Sequence, residues 1–259
     1  MFGKYFTNKP DISQRTVLDM KPVLYQPNEV KTDDIFYTVY RNLEVIGGKL
    51  RYDITEIPPQ KMVPPAGREF PKTFGHYHKA RNPELYEVLD GRAYFLLQKY
   101  AGDPAEIEEA YIVEAGAGEK AIIPPGFGHL SINIGSEKLV LGNWIGLVEY
   151  DYETIKKFHG GCYYVLLARR LGLRSFGEGG NFNEGEDKRD SIEFEKNSNY
   201  KSVPELKKLK LRDLPELGIK NGAAHPILDL KNSPEKLDWL VNSEKYMDLL
   251  TIKKLYKEI

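Results

Sequence analysis

The chain of 259 residues is poor in cysteine, in long apolar runs and in charge of one sign. Its single cysteine, Cys162, excludes an internal disulfide framework and a thiolate metal cluster, and we expect a small buried side chain. Its 37 Lys and Arg nearly balance 38 Asp and Glu, so no global field attracts nucleic acid or an anionic membrane. No run approaches the ~20 apolar residues of a membrane span, and the first residues lack a signal-peptide core. We therefore expect a soluble, cytoplasmic protein with no nucleic-acid or membrane partner.

Histidine is also scarce, with five in the chain, but two of them lie close together in Gly75-His76-Tyr77-His78. Because side chains alternate along a strand, His76 and His78 point the same way and can reach one metal ion. Glu84 can return to the same ion after a short turn at Asn82-Pro83. This spacing predicts three metal ligands from nine residues.

A fourth ligand is predicted in residues 118–133. This stretch has the pattern of a strand, a Pro-Gly turn and a second strand, which together deliver His129. Three imidazoles and one carboxylate suit a divalent transition metal with coordination positions left open. His159 and His225 lack such neighbours, so we expect ordinary surface or loop residues there.

Short strands separated by turn signals predict an antiparallel sandwich or barrel rather than alternating strands and helices. We divide the chain into an N-terminal arm (1–34), an all-β barrel (35–170), a Gly-rich charged linker (171–190) and a C-terminal extension (191–259). A short strand is expected at 23–25 in the arm. The strands expected in the barrel are 35–41, 49–57, 86–89, 92–98, 108–113, 120–123, 139–145 and 162–167.

The C-terminal extension is predicted to be partly helical. One helix is expected over 233–241, with Ser233 as N-cap and Pro234 in the first position. A second is expected over 243–259, where apolar residues from Tyr246 to Ile259 recur at helical spacing. This apolar stripe should pack on the outside of a barrel, either its own or that of a second subunit, and should contribute nothing to the metal site.

The two histidine motifs resemble those of the cupin superfamily, the second as Gly-x5-Pro-x-Gly-x2-His-x3-Asn from Gly118 to Asn133. A closer resemblance covers roughly residues 15–165 and points to the cupin-type phosphoglucose isomerases. The segments that carry it are Thr73-Phe74-Gly75-His76-Tyr77-His78, Pro83-Glu84-Leu85-Tyr86, Leu96-Leu97-Gln98, Asn133-Ile134-Gly135-Ser136-Glu137 and Asp151-Tyr152-Glu153-Thr154-Ile155.

This resemblance implies a double-stranded β-helix (a jelly-roll barrel) and a metal-dependent aldose-ketose isomerase. The expected reaction interconverts glucose 6-phosphate and fructose 6-phosphate in glycolysis and gluconeogenesis, in a homodimer with one divalent metal per subunit. Iron is the first expectation for the metal, with manganese, nickel or zinc as alternatives. Glu84 is the expected catalytic residue as well as a ligand. The substrate would contact Thr55, Thr73, Gly75, Tyr86 and Tyr150, with the phosphate at the two threonines and the Gly75 N–H.

The chain departs from this family at three positions. Gly126 and Tyr150 stand where the family carries tyrosine and histidine, and Trp144 or Ile145 stands where it carries another tyrosine. Two other functions share the motifs: a cupin oxygenase, since such ligands also bind iron and O2, and a non-catalytic sugar-binding cupin. The sequence leaves open the metal, a proton-transfer or hydride-shift route, the use of mannose 6-phosphate, and the role of the extension.

Overall fold

A computed structural model describes residues 6–30, 32–59, 68–168 and 192–259. The predicted linker, 171–190, lies outside the described residues. The strands are β1 (Asp11–Thr16), β2 (Ile35–Ile46), β3 (Leu50–Ile57), β4 (Tyr77–His78), β5 (Glu84–Asp90), β6 (Arg92–Tyr100), β7 (Ile107–Gly116), β8 (Lys120–Ile123), β9 (Gly128–Asn133), β10 (Leu139–Gly146), β11 (Tyr150–Asp151), β12 (Tyr163–Leu167), β13 (Ile192–Lys196), β14 (Lys207–Lys210) and β15 (Lys257–Glu258).

The helices are all short. The α-helices are α1 (Val17–Met20), α2 (Glu153–Lys157), α3 (Asp238–Val241) and α4 (Ile252–Leu255). The 3-10 helices of the described residues are Lys21–Val23, Pro27–Glu29, Pro215–Leu217, Ile227–Asn232, Pro234–Leu237 and Ser243–Tyr246. Within the described ranges, no helix has the length and apolar character needed to cross a membrane.

Two sheets enclose the core. One has six strands in the order β1-β2-β3-β10-β5-β8, and the other has five in the order β15-β14-β7-β6-β9. Buried apolar side chains from both sheets form one cluster, in which Tyr86 of β5 contacts Phe95 of β6 with ring centroids 5.3 Å apart. The prediction of an all-β core in a double-stranded β-helix is confirmed. Cys162 is buried, as predicted.

The N-terminal arm differs from the prediction. Residues 23–25 do not form a strand, because Lys21–Val23 is a 3-10 turn that leads into an extended Leu24. The strand of the arm is β1 instead, which pairs with β2 at the edge of the six-stranded sheet. Its sequence, DISQRT, is polar and shows no clear alternation of apolar and polar residues. Because β1 is an edge strand with mostly exposed side chains, it buries no face that would require such alternation.

The C-terminal extension packs on its own barrel. β14 lies parallel to β7, and Trp144 Nε1 of β10 donates to the carbonyl of Ile227 at 2.7 Å. The 233–241 helix forms as a 3-10 turn followed by α3, but the predicted continuous helix over 243–259 is wrong. That segment instead forms a 3-10 turn over Ser243–Tyr246, the short α4 and β15, which pairs with β14. Ile259 is 72% exposed rather than packed.

Candidate metal centre

Local backbone geometry brings the two histidine motifs together. His76 and His129 form an antiparallel bridge in which each N–H donates to the other carbonyl, at 3.2 and 3.0 Å. Gly75 precedes this bridge with φ +83°, and a Cβ there would lie 2.7 Å from the side chain of Leu130. Glycine is therefore required at this position for the chain to enter β4 so close to β9.

The four predicted ligands converge at one point. Their ligand atoms all lie within 4.8 Å of one another. Glu84 Oε2 is 3.3 Å from His78 Nε2 and 3.2 Å from His129 Nε2, and the Nε2 atoms of His76 and His78 are 3.2 Å apart. Strand-like alternation from His76 to His78 and the short turn before β5 therefore bring the predicted ligands together as the spacing predicts.

The protonation of the cluster fits a metal ion. Burial and repulsion from His129 and His78 hold the pKa of His76 well below its ordinary value, and burial also lowers the pKa of His129. Burial opposes the charge on Glu84, but the adjacent imidazoles of His129 and His78 outweigh it, so its pKa lies well below the ordinary value. Neutral imidazoles and an ionised carboxylate are the forms that bind a metal.

The cluster also has an unsatisfied acceptor. Among the described residues, buried Glu84 Oε2 has no hydrogen-bond partner, although its other oxygen accepts from Asn143 Nδ2 at 2.7 Å. A buried, unpaired carboxylate oxygen is costly unless a cation lies beside it. His78 Nδ1 donates to the Asn82 carbonyl at 2.7 Å, which leaves its Nε2 lone pair directed at the cluster. This group could hold a metal ion.

A narrow cavity opens onto the cluster. It measures about 40 Å³ and contacts His76 and Glu84 among the four ligands. All five predicted substrate-binding residues line it: Thr55, Thr73, Gly75, Tyr86 and Tyr150. The structure thus brings these residues together, and their roles remain predictions. The other two histidines, His159 and His225, are exposed, as predicted.

The contacts of three of these residues are specific. Tyr86 places its hydroxyl 3.3 Å from His129 Nε2. Thr73 Oγ1 accepts the N–H of Ser131 at 3.0 Å, so this hydroxyl has a structural contact. The Tyr150 ring packs edge-on against His76, with centroids 4.3 Å apart, and so covers the more exposed side of the cluster.

The structure resolves one departure from the family pattern. Trp144 faces the C-terminal extension, whereas Ile145 shares its face of β10 with Asn143. Of the two residues, Ile145 is therefore the one on the face of β10 that carries the cavity residue Asn143.

Sequence reasoning missed several residues of the cavity wall. Arg41 and Asp53 line it together with Asn143, and Arg51 lies just outside it. A signal existed for all three: Asp53 has the strand parity of Thr55, Arg41 has the strand parity of Val39, which also lines the cavity, and Asn143 is a polar residue inside an apolar strand.

The fold and the site together define a cupin-type barrel, whose interior brings three histidines and one carboxylate into position to hold a metal ion. The model of the glucose-6-phosphate isomerase (GPI) family matches residues 14–175, which is more than half of the chain. The chain therefore belongs to the glucose-6-phosphate isomerase family.

Curated relatives share about a third of the matched residues. The glucose-6-phosphate isomerase of Thermococcus gammatolerans is 33% identical over 131 residues, covering 49% of this chain and 64% of the relative. That of Pyrococcus furiosus is 33% identical over 128 residues, covering 48% and 62%. The match thus spans less than two thirds of each relative.

Solved structures resemble part of the chain. An oxalate decarboxylase from Lactobacillus farciminis, in a formate complex, has a TM-score of 0.35 at 21% identity and covers 48% of this chain and 33% of its own. An oxalate oxidase has a TM-score of 0.33 at 17% identity and covers 42% and 50%.

Proposed function

We propose that the protein is a metal-dependent aldose-ketose isomerase that interconverts glucose 6-phosphate and fructose 6-phosphate. The observation that carries the proposal is the convergence of His76, His78, Glu84 and His129 on a cavity lined by polar side chains, in a member of this family. The family further supports a cytoplasmic homodimer active in glycolysis and gluconeogenesis, with a sugar phosphate as its partner and no nucleic acid or membrane.

The four ligands would hold one divalent ion, which would supply a Lewis acid for the carbonyl and adjacent hydroxyl of the sugar. Nitrogen and carboxylate donors suit iron, our first choice, as well as manganese, nickel and zinc. Of the four residues that would hold the ion, His76 and Glu84 line the cavity. Substrate would therefore approach from the side of His76.

Glu84 would move a proton between neighbouring carbons of the sugar. Its low pKa keeps it ionised, and Asn143 holds one oxygen at 2.7 Å and thereby orients the group. Tyr86, whose hydroxyl lies beside His129, would orient the sugar or Glu84.

A coupled assay converting fructose 6-phosphate to glucose 6-phosphate tests the proposal. Wild type should be active, should lose activity after chelation, and should regain it when the metal is restored. His76→Ala and His129→Ala should lose both bound metal, measured by elemental analysis, and turnover. His225→Ala, an exposed histidine, is the matched control and should match wild type.

The assay also separates the alternatives. Metal-dependent O2 consumption without isomerisation would indicate the oxygenase, and metal or sugar binding without turnover would indicate the sugar-binding cupin. Running the isomerisation in D2O distinguishes the routes, because proton transfer through Glu84 should bring solvent deuterium into the product and a hydride shift should not. Turnover that survives complete metal removal would contradict the proposal.

A further inference from the structure

Asn82 links a candidate metal ligand to the C-terminal extension. Its backbone carbonyl accepts the Nδ1–H of His78 at 2.7 Å, and its side-chain Nδ2 donates to the carbonyl of Leu240 at 3.1 Å. His78 lies in β4, and Leu240 lies in α3. One residue in the turn between β4 and β5 therefore contacts both an imidazole of the cluster and a helix 158 residues further along the chain.

The turn that carries Asn82 has an unfavourable backbone conformation. Arg81, the residue before it, has φ +55°, a left-handed conformation that residues with a Cβ rarely adopt. The N–H of Arg81 donates to the His78 carbonyl at 3.0 Å, which closes the turn directly after the ligand. Pro83 restricts the backbone of Asn82 to extended conformations, so the direction of the Asn82 carbonyl is tied to the position of its side chain. A contact that holds this side chain therefore also holds the acceptor of His78.

The acceptor on the extension is itself fixed in place. The side chains of Trp239 and Leu240 are buried, and α3 packs against β10. The Leu240 carbonyl lies in the last turn of α3, where backbone carbonyls lack partners within the helix. The Asn82 amide supplies a partner from the barrel.

Two further contacts hold the extension behind the strands of the centre. Glu87 Oε2 of β5 accepts the N–H of Ile227 at 2.8 Å, and Lys120 Nζ of β8 donates to the carbonyl of Gly222 at 2.8 Å. Glu87 and Lys120 are themselves a buried pair, with 3.3 Å between Oε1 and Nζ. Because side chains alternate along β5, Glu87 points away from the cavity that Glu84 lines. The extension thus covers the back of the strand that carries Glu84.

All four candidate ligands belong to the barrel, yet the extension reaches one of them through Asn82. The partner of the second ring nitrogen orients a histidine ligand. We propose that Asn82 is a positioning residue that couples the docking of α3 on the barrel to metal binding by His78. This inference rests on the metal centre of the proposed function and not on its sugar chemistry. Because such coupling is reciprocal, a bound metal should also hold α3 more firmly.

Asn82→Ala tests the coupling in the full chain. The variant keeps the backbone acceptor of His78 and removes the side-chain donor to Leu240, so the turn loses this contact while every ligand remains. The Kd for cobalt(II), measured by competition with a chromophoric chelator, should rise ~3- to 10-fold, as expected for the loss of one neutral hydrogen bond. The visible absorption of the bound cobalt should also change, because it reports the geometry of the ligands.

Asn242→Ala is the matched control. Asn242 is another partly buried asparagine, next to the end of α3, and its Nδ2 donates to Asp238 Oδ1 at 2.6 Å within the extension. Urea denaturation should show a loss of stability similar to that of Asn82→Ala. Because the contact between Asn82 and Leu240 remains, the cobalt Kd and spectrum should match wild type. A purely structural role of Asn82 would instead leave metal binding unchanged in both variants.

Hydrogen exchange in the wild type measures the reciprocal effect. The N–H of Asn242 donates to the Asp238 carbonyl at 2.9 Å and reports on α3. Cobalt should slow its exchange ~3- to 10-fold in the wild type but not in Asn82→Ala. The N–H of Ile259, bonded to the Lys208 carbonyl elsewhere in the extension, is the internal reference and should not respond. The wild-type measurement decides the outcome if Asn82→Ala does not fold.

Three results would overturn the coupling: a folded Asn82→Ala protein with the cobalt Kd and spectrum of wild type, equal cobalt effects in Asn82→Ala and Asn242→Ala, or wild-type exchange at α3 that cobalt does not slow. Each would leave the proposed isomerase function in place. Cobalt binding that depends on Asn82 in a protein without isomerase activity would retain the coupling and reject that function. A wild type that binds no cobalt would reject both.

Discussion

The hydrogen bond from Asn143 to Glu84 should set the metal affinity of the centre. Asn143 Nδ2 donates to Glu84 Oε1 at 2.7 Å, and the two residues are 4% and 2% exposed. Asn143→Ala removes this donor and leaves Glu84 free to rotate away from the three histidines. The carboxylate would also lose the neutral group that offsets part of its desolvation.

The size of the effect follows from the charge on the acceptor. A hydrogen bond to a charged group contributes about 1.5–3 kcal/mol. At about 1.4 kcal/mol for each tenfold change, this corresponds to roughly 10- to 100-fold in affinity. Residues that orient metal ligands typically change affinity by about the same factor. We therefore expect the Kd for the divalent metal to rise ~10- to 100-fold, with much of the turnover restored at saturating metal.

Competition against a chromophoric chelator measures the metal Kd, and urea denaturation measures the free energy of unfolding. Asn197→Ala is the matched control. Asn197 is also a buried asparagine, and its Nδ2 donates to the carbonyls of Phe158 and Gly161, away from the centre. It should lower the free energy of unfolding by about 1–3 kcal/mol without changing the metal Kd. A folded Asn143→Ala protein with a metal Kd within twofold of wild type would refute the reasoning.

Three further outcomes are expected. Glu84→Gln keeps size and one oxygen but removes basicity, so turnover at saturating metal should fall by ~10²–10⁴; activity near wild type would assign proton transfer elsewhere. Thr73→Ala should lower the free energy of unfolding, measured by urea denaturation, by about 1 kcal/mol, because the Thr73 hydroxyl accepts the N–H of Ser131. Thr55→Ala, which does not remove this hydrogen bond, is the comparison. Tyr256→Phe should destabilise the fold by about 1–3 kcal/mol with no change in metal content, since its hydroxyl bonds both N–H and carbonyl of Ile122, at 3.0 and 2.6 Å; an unchanged urea midpoint would contradict this.

The cluster of three histidines and Glu84 could be predicted from sequence because it depends on local rules. His76 and His78 share a side by strand alternation, and Glu84 follows after one turn, so three ligands need no knowledge of distant pairing. His129 needed only the strand-turn-strand pattern around it. The bounds of β8 were also predicted, because glycines and prolines close it on both sides.

The remaining features depend on pairing between distant segments. Arg41 follows the strand alternation of Val39, but its ion pair with Asp53 depends on the register of β2 against β3. The apolar residues after Tyr246 have helical spacing, yet they contact separate partners, including the backbone of Ile122 through Tyr256. Helical periodicity indicates that such residues are buried, but it does not identify the surface that covers them.

The parallel pairing of β14 with β7 has a consequence for synthesis on the ribosome. Residues 107–116 emerge long before 207–210. One edge of β7 therefore stays unpaired until a segment roughly a hundred residues further along the chain has been synthesised. An unpaired strand edge is a template for association with other chains. A nascent chain that stalls between these segments would expose this edge, together with Trp144, which the residues around Ile227 cover in the finished protein. Slow translation of the extension should therefore favour aggregation, and chaperones that shield strand edges should raise the yield.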